Sequence, residues 1–300
     1  MRTALVITNA DAGGNDDAAT RRAVTILRAG GVDVELAATE GVDDLDAALR
    51  GRAGRDVVVV GGDGSLHAAV SCLHRQRDLE GTAIGLIPLG TGNDLARGAG
   101  IPLDVEEAAR AVLAGRPTAH DLLVDDDGGI VVNAVHVGVG AEAGRSADAW
   151  KPRLGRLGYV VGAIAAGLTA DGLRLRVTAD DVVLADGRHR LLQVAVGNGP
   201  FVGGGTELAP GADPRDGSAT VMVSFAVGRL ERLAYAARLR SGDHPQRDDV
   251  RVERARVVEV AGEEFWCNAD GELAGPFTTR RWTVHDAAWT LLTPDTATRA

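Results

Sequence analysis

Lysine is almost absent from this chain: Lys151 is the single one, and the other 31 of the 32 basic residues are arginine. That excludes nucleotide sites built on a lysine near the glycine-rich stretch at residues 57–73, both the P-loop and the protein-kinase strand lysine. Any phosphate held there is held by backbone, arginine or metal. Cysteine is nearly as scarce. Cys72 and Cys267 match no metal-ligand spacing, and so few thiols point to a reduced, cytoplasmic setting. Long hydrophobic runs are missing too. MRTALVITN is too short an apolar stretch for a secretion signal, and the longest nearly apolar run, residues 159–168, is about half a membrane span. Membrane association is therefore expected to be peripheral. Positive charge is in deficit, with a net charge of −10, which argues against nucleic acid as a general partner.

Glycine, by contrast, is abundant: 40 residues in 300, roughly twice the average usage of about 7%. A chain of this length is expected to form two domains. The most informative stretch is VVVVGGDGSLHAAVSCL at residues 57–73. Four consecutive valines read as a parallel strand buried on both faces. Gly61, Gly62, Asp63 and Gly64 follow, and Ser65 opens an apolar-periodic helix. Such a turn lets a ligand approach the backbone, and the helix start offers N–H groups and partial positive charge to a phosphate. Asp63 is out of place beside a bare phosphate. It fits if a cation intervenes or if the carboxylate handles a proton. The plain alternative is a tight strand-to-helix turn.

Strand, helix and glycine loop alternate through the first 120 residues. Strands are predicted at 3–8, 32–37, 56–60 and 83–87, and helices at 16–28, 42–50, 95–99 and 105–113. This alternation predicts a parallel sheet with helices on both faces, and ligands of such sheets bind beyond the carboxyl ends of the strands. The loops at 9–15, 61–65 and 89–94 all fall at that edge. After about residue 120 short strand-like runs dominate: 120–124, 130–137, 173–178, 181–184, 191–196, 219–227, 250–260, 264–268, 281–285 and 288–292. Helices interrupt them at 157–168 and 230–239. This half reads as an antiparallel sandwich or barrel-like domain.

GGDGSLHAAV followed by IGLIPLGTGNDLARGAGIP resembles the diacylglycerol-kinase catalytic family, the lipid kinases that include sphingosine and ceramide kinases. Four further stretches resemble the family in the same order: Asn9 to Gly13, VVNAVHVGVGAE at 131–142, the run from Gly197 and Asn198 through Gly203, Gly204 and Gly205 to Asp216 and Gly217, and Asp270-Gly271-Glu272. Ala10 stands where the family usually has proline. The resemblance covers nearly the whole chain. It implies an α/β nucleotide domain over residues 1–120, similar to those of phosphofructokinases and NAD kinases. A β-rich antiparallel sandwich over 121–285 follows, carrying lipid and metal contacts. The active site is implied in the cleft between them, and residues 286–300 return to the first domain.

The implied activity is transfer of the γ-phosphoryl group of ATP, with Mg²⁺, to a lipid hydroxyl at a membrane surface. Diacylglycerol giving phosphatidic acid leads, with a sphingoid base, phosphatidylglycerol or a soluble hydroxyl compound as alternatives. The implied nucleotide contacts are Asn9, Gly61, Gly62, Asp63, Gly64, Ser65, Gly90, Thr91, Gly92, Asn93 and Asp94. Asn93 and Asp94 also read as simple helix caps. Asp270, oriented near Glu272, is the favoured base for the acceptor hydroxyl, with Asp63 organising metal and phosphate; the reverse assignment stays open. Taken alone, Asp270-Gly271 reads as a hairpin turn. Asp213, Asp216 and Ser218 match the family's Mg²⁺ site, whose water network reaches Asp121. Their plain reading is a solvated turn. Two basic groups, Lys151 with Arg153 and Arg156, and Arg229 with Arg232, Arg238 and Arg240, read either as solvated helix faces or as a contact to anionic lipid. The sequence leaves the oligomeric state open, with a homodimer among the options. A non-catalytic nucleotide-responsive module is disfavoured by the presence of both Asp63 and Asp270. A dehydrogenase is disfavoured because no Gly-x-Gly-x-x-Gly follows the first strand.

Overall fold

A computed structural model describes residues 1–10, 14–138 and 172–294. The chain divides into two compact units. One runs from Met1 to His120 and resumes at Ala287; the other covers Asp121–Asp286. The predicted helix at 157–168 and the cluster of Lys151, Arg153 and Arg156 lie outside the described residues.

In the first unit, β1 (Thr3–Asn9) pairs in parallel with both β2 (Asp33–Thr39) and β3 (Asp56–Gly61). Next, β3 pairs with β4 (Ala83–Pro88), and the end of β16 (Glu272–Thr293) adds Thr290 and Leu291 in parallel beside β4. The order is β2-β1-β3-β4-β16. Helices α1 (Gly14–Ala29), α2 (Val42–Arg50), α3 (Asp63–Gln76), α4 (Asp94–Gly98) and α5 (Val105–Ala114) connect the strands. The path from β1 to β2 runs one way along the sheet, and the paths to β3 and β4 run the other. Right-handed crossovers then place α1 on one face and α2 and α3 on the other. Accordingly α1 packs on α5 and α2 packs on α3. Val57, Val58, Val59 and Val60 are buried on both sides, as four valines without polar alternation require.

The second unit is an antiparallel sandwich. The chain enters it along β5 (Arg116–Asp125), which pairs with the short β6 (Ile130–Val131), and β11 (Phe201–Val202) forms a small ribbon with β12 (Thr206–Glu207). One layer runs β14 (Val250–Ala255), β13 (Ala219–Ser224), β10 (Gln193–Gly197), β7 (Ala134–Gly138) and the end of β15 (Val257–Ala269). The start of β15 instead pairs with β8 (Leu173–Ala179), which pairs with β9 (Val182–Leu191). Register shifts between Ala261, Phe265 and Cys267 let one long strand serve both layers. Val137, Val194, Val196, Val221 and Val223 face Leu175, Val177 and Leu184 across the core, with Phe265 and Trp282. On the opposite face of the first layer, α6 (Arg229–Ser241) buries Tyr235, Ala236 and Leu239. Periodicity splits β16 into runs at 281–285 and 288–292 because Ala287 turns through a left-handed conformation, with φ 51°. The strand in fact continues back to Glu272.

Cys72 and Cys267 are buried free thiols, and burial pushes Cys267 up to about 11, so it stays protonated.

Candidate active site

In the first unit the two glycine turns meet directly. A methyl group on Gly90 would stand 2.6 Å from the Gly62 Cα, and one on Gly62 would stand 2.9 Å from the Gly90 Cα. Only glycine at both positions allows this approach. The Leu89 N–H donates to the Gly61 carbonyl at 3.0 Å, and Asp63 Oδ1 accepts from the Leu95 N–H at 3.2 Å. Asp63 therefore caps α4 from across the two loops, while Asn93 and Asp94, the expected caps, do not supply that bond. Asn93 sits in a left-handed conformation, with φ 52°. Its Nδ2 donates to the Gly90 carbonyl at 2.6 Å, and its Oδ1 is buried without a partner. An acceptor in that position wants a donor, which a ribose hydroxyl or a metal-bound water supplies and a phosphate oxygen does not.

Helix α3 starts at this junction. Gly62 occupies its N-cap without a side-chain bond, so the first N–H groups of the helix carry no cap from within it. Beside them lies a cavity of about 250 Å³ lined by Thr8 and Asn9 from β1, Thr39 and Glu40 at the end of β2, Val42 from α2, and Gly64 and Ser65 from α3, among others. It lies where the connections leaving β1 and β3 run in opposite directions, beyond the carboxyl ends of those two strands. That is the place at which a sheet of this type opens a crevice for a ligand. Asn9, Gly61, Gly62, Asp63, Gly64, Ser65, Gly90 and Asn93 are thus brought to one edge. Thr39 and Glu40 were not legible as site residues. Their signal is topological, because β2 lies next to β1 only once the strand order is known.

In the second unit, Asp270 and Gly271 do form the turn of the β15–β16 hairpin, with φ 49° and 95°. The Asp270 carboxylate does more. Its Oδ1 accepts from the N–H groups of Asn133 and Ala134, both at 3.0 Å, and its Oδ2 accepts from Val132 at 2.6 Å. Three backbone donors fix its direction. Glu272, expected to orient it, is exposed and makes no bond to it. From Val132 the network continues. Asn198 is fully buried and donates its Nδ2 to the carbonyls of Val132, at 2.7 Å, and Asp121, at 3.0 Å. Asp121 Oδ2 accepts from the Gly217 N–H at 2.8 Å, and its own N–H donates to Pro214 at 2.7 Å. So Asp270, Asp121 and the turn carrying Asp213, Asp216 and Ser218 belong to one hydrogen-bonded structure.

That turn does not have the arrangement of a cation cage. Asp213 is held bidentately by Arg215, at 2.7 and 2.8 Å. Asp216 accepts from the Ser218 N–H at 3.0 Å and Oγ at 2.9 Å, and is ion-paired with Arg254. Carboxylates suit a hard divalent ion, but here arginines already neutralise two of them. Among the described residues, no three acidic, histidine or cysteine side chains converge as metal ligands.

Two family models match these units. Residues 3–124 match the diacylglycerol kinase catalytic domain, and residues 133–293 match the YegS C-terminal NAD kinase beta sandwich-like domain. The chain belongs to the YegS-like lipid kinases. It is 33% identical over 279 residues to a "probable lipid kinase YegS-like" of Stenotrophomonas maltophilia, covering 89% of this chain and 88% of that one. It is 29% identical over 285 residues to the corresponding protein of Pectobacterium atrosepticum, covering 93% and 91%. The fold is shared with a crystal structure titled as a diacylglycerol kinase from Bacillus anthracis, at a TM-score of 0.78 and 23% identity over 99% of this chain and 98% of that one.

Proposed function

We propose that this protein transfers the γ-phosphoryl group of ATP to the hydroxyl of a lipid, with diacylglycerol as the first candidate and phosphatidic acid as its product. The observation that carries the reading is the backbone-to-backbone packing of the Gly62 and Gly90 turns beside the 250 Å³ cavity. Backbone N–H groups at the start of α3 grip the phosphates, and the cavity takes the nucleoside. Phosphoryl transfer asks the protein mainly for positioning and charge stabilisation. Mg²⁺ bound with the nucleotide would neutralise phosphate charge, with the buried Asn93 Oδ1 placed to accept from a metal-bound water, and the turn at Asp213 and Asp216 takes no part. The lipid oxygen attacks the γ-phosphorus, the bond to the bridging oxygen breaks, ADP leaves, and the hydroxyl proton passes to a carboxylate. Asp270 suits that task because its backbone donors aim it. Asp63 holds the two turns together through Leu95. No helix among the described residues is long and apolar enough to cross a membrane, and a lipid acceptor implies peripheral contact from the cytoplasmic side.

The test is transfer of labelled γ-phosphate to a panel of diacylglycerol, sphingosine, ceramide, phosphatidylglycerol and prenol lipids, with and without Mg²⁺. Label in phosphatidic acid supports the reading, and label in another lipid moves the acceptor. Label only in a soluble hydroxyl compound overturns it.

A further inference from the structure

Helix α6 has an unusual outer face. Its inner face is ordinary: Arg232, Tyr235, Ala236 and Leu239 are buried, and Arg232 donates Nε to the Val227 carbonyl at 2.8 Å. Arg232 is thus a packing residue, which removes it from the basic surface group read in the sequence. The side turned to solvent would normally be polar. Instead Leu230, Leu233, Ala234 and Ala237 follow one another at the i, i+3, i+4, i+7 spacing of a second apolar stripe. Leu230 is 80% exposed and Leu233 50% exposed. Exposed Arg229, Arg238 and Arg240 flank that stripe. Glu231 is the one acid on the helix and lies on the Arg238 side. The helix therefore carries a local positive excess in a chain whose net charge is −10.

We infer that this outer face of α6 docks the protein on an anionic lipid bilayer, with the leucines entering the headgroup boundary and the arginines meeting lipid phosphates. An apolar stripe bordered by cationic side chains is the composition of a helix lying in the plane of a membrane interface. Two-fold pairing of copies through the same face would set its arginines against each other, which disfavours a second copy as the occupant. The inference rests on the lipid-kinase reading, because it names the surface that brings the enzyme to its acceptor.

The test measures binding without turnover: sedimentation of the full chain with vesicles of phosphatidylglycerol in phosphatidylcholine, and with phosphatidylcholine alone. The variants are Leu230→Ser with Leu233→Ser, and separately Arg229→Gln, Arg238→Gln and Arg240→Gln. All five side chains are exposed, and circular dichroism confirms that the helix persists. Anionic vesicles are expected to bind and neutral ones to bind far less. The double leucine variant is expected to weaken binding by about tenfold or more, and each arginine removed by about fivefold. Equal binding to both vesicle types, or wild-type binding by all variants, overturns the inference. So does conversion of a dimer to a monomer by the leucine variant with vesicle binding unchanged. Vesicle binding that depends on α6 without phosphorylation of any lipid would leave this inference standing and sink the kinase reading instead.

Discussion

The two units solve opposite problems. In the first, side chains are absent where the two glycine turns meet: Gly62 and Gly90 touch through their main chains, and α3 begins without a side-chain cap. In the second, the aspartates singled out in the sequence are tied to protein partners. Three N–H groups hold Asp270, Arg215 holds Asp213, Arg254 holds Asp216, and Gly217 binds Asp121. The first unit leaves backbone groups available at its glycine turns. The second fixes its site aspartates in place.

The largest effect is expected where the first unit has no slack. Gly90→Ala puts a methyl group against backbone that cannot yield, and misplacing the two turns by about 1 Å is expected to cut kcat/KM for ATP by about 100-fold. Gly64→Ala meets nothing within 4 Å. It should fold and gain up to about 1 kcal/mol in thermal unfolding. Equal stability losses for both variants would break the contrast.

In the second unit the strongest fixed charge is Arg280, whose side chain is 10% exposed and which pairs with Asp125 at 2.7 Å while also holding Asp126 and Asp127. Arg280→Met strands a half-buried carboxylate and is expected to cost about 3 kcal/mol, read as a fall in Tm of about 5 °C or more. A smaller effect depends on pH. His136 lies inside the sheet, and burial pushes its pKa from 6.5 down to about 4. The unfolded chain then binds a proton that the folded chain refuses between about pH 6.5 and 4. Stability contributed by neutral His136 is full above that window and is lost as pH falls through it. His136→Leu should remove this slope, which amounts to about 3 kcal/mol at most. Parallel pH profiles for wild type and variant would contradict it. Smallest of all is Arg254→Gln. Freed from its arginine, Asp216 should let Mg²⁺ raise Tm by about 1–2 °C where it leaves the wild type unmoved.

The same contrast explains what could be read from the residues. Buried valines, glycine punctuation and helical spacing are local, so the α/β order and both glycine turns were visible in the chain itself. So was the β-rich second half. Thr39 and Glu40 were hidden because only the strand order sets them beside Asn9. The bond from Asp63 to Leu95 spans two loops, and nothing in either loop announces it. Arg215 is a neighbour of Asp213 in the sequence, but the arginine on Asp216 was hidden for a similar reason. Arg254 lies on β14, opposite Thr220 in the register, far along the chain from the carboxylate it neutralises. Even Asp270-Gly271 was legible as a turn, while the three donors that aim its carboxylate come from residues 132–134.

The most direct test of the account is the rate of labelled phosphate transfer from ATP to diacylglycerol in mixed micelles by wild type and Asp270→Asn, with ATP affinity measured beside it. The account predicts labelled phosphatidic acid from the wild type, a loss of about 100-fold or more in kcat for Asp270→Asn, and ATP affinity unchanged by the substitution. Undiminished transfer by Asp270→Asn, or a wild type that labels no lipid, would contradict it.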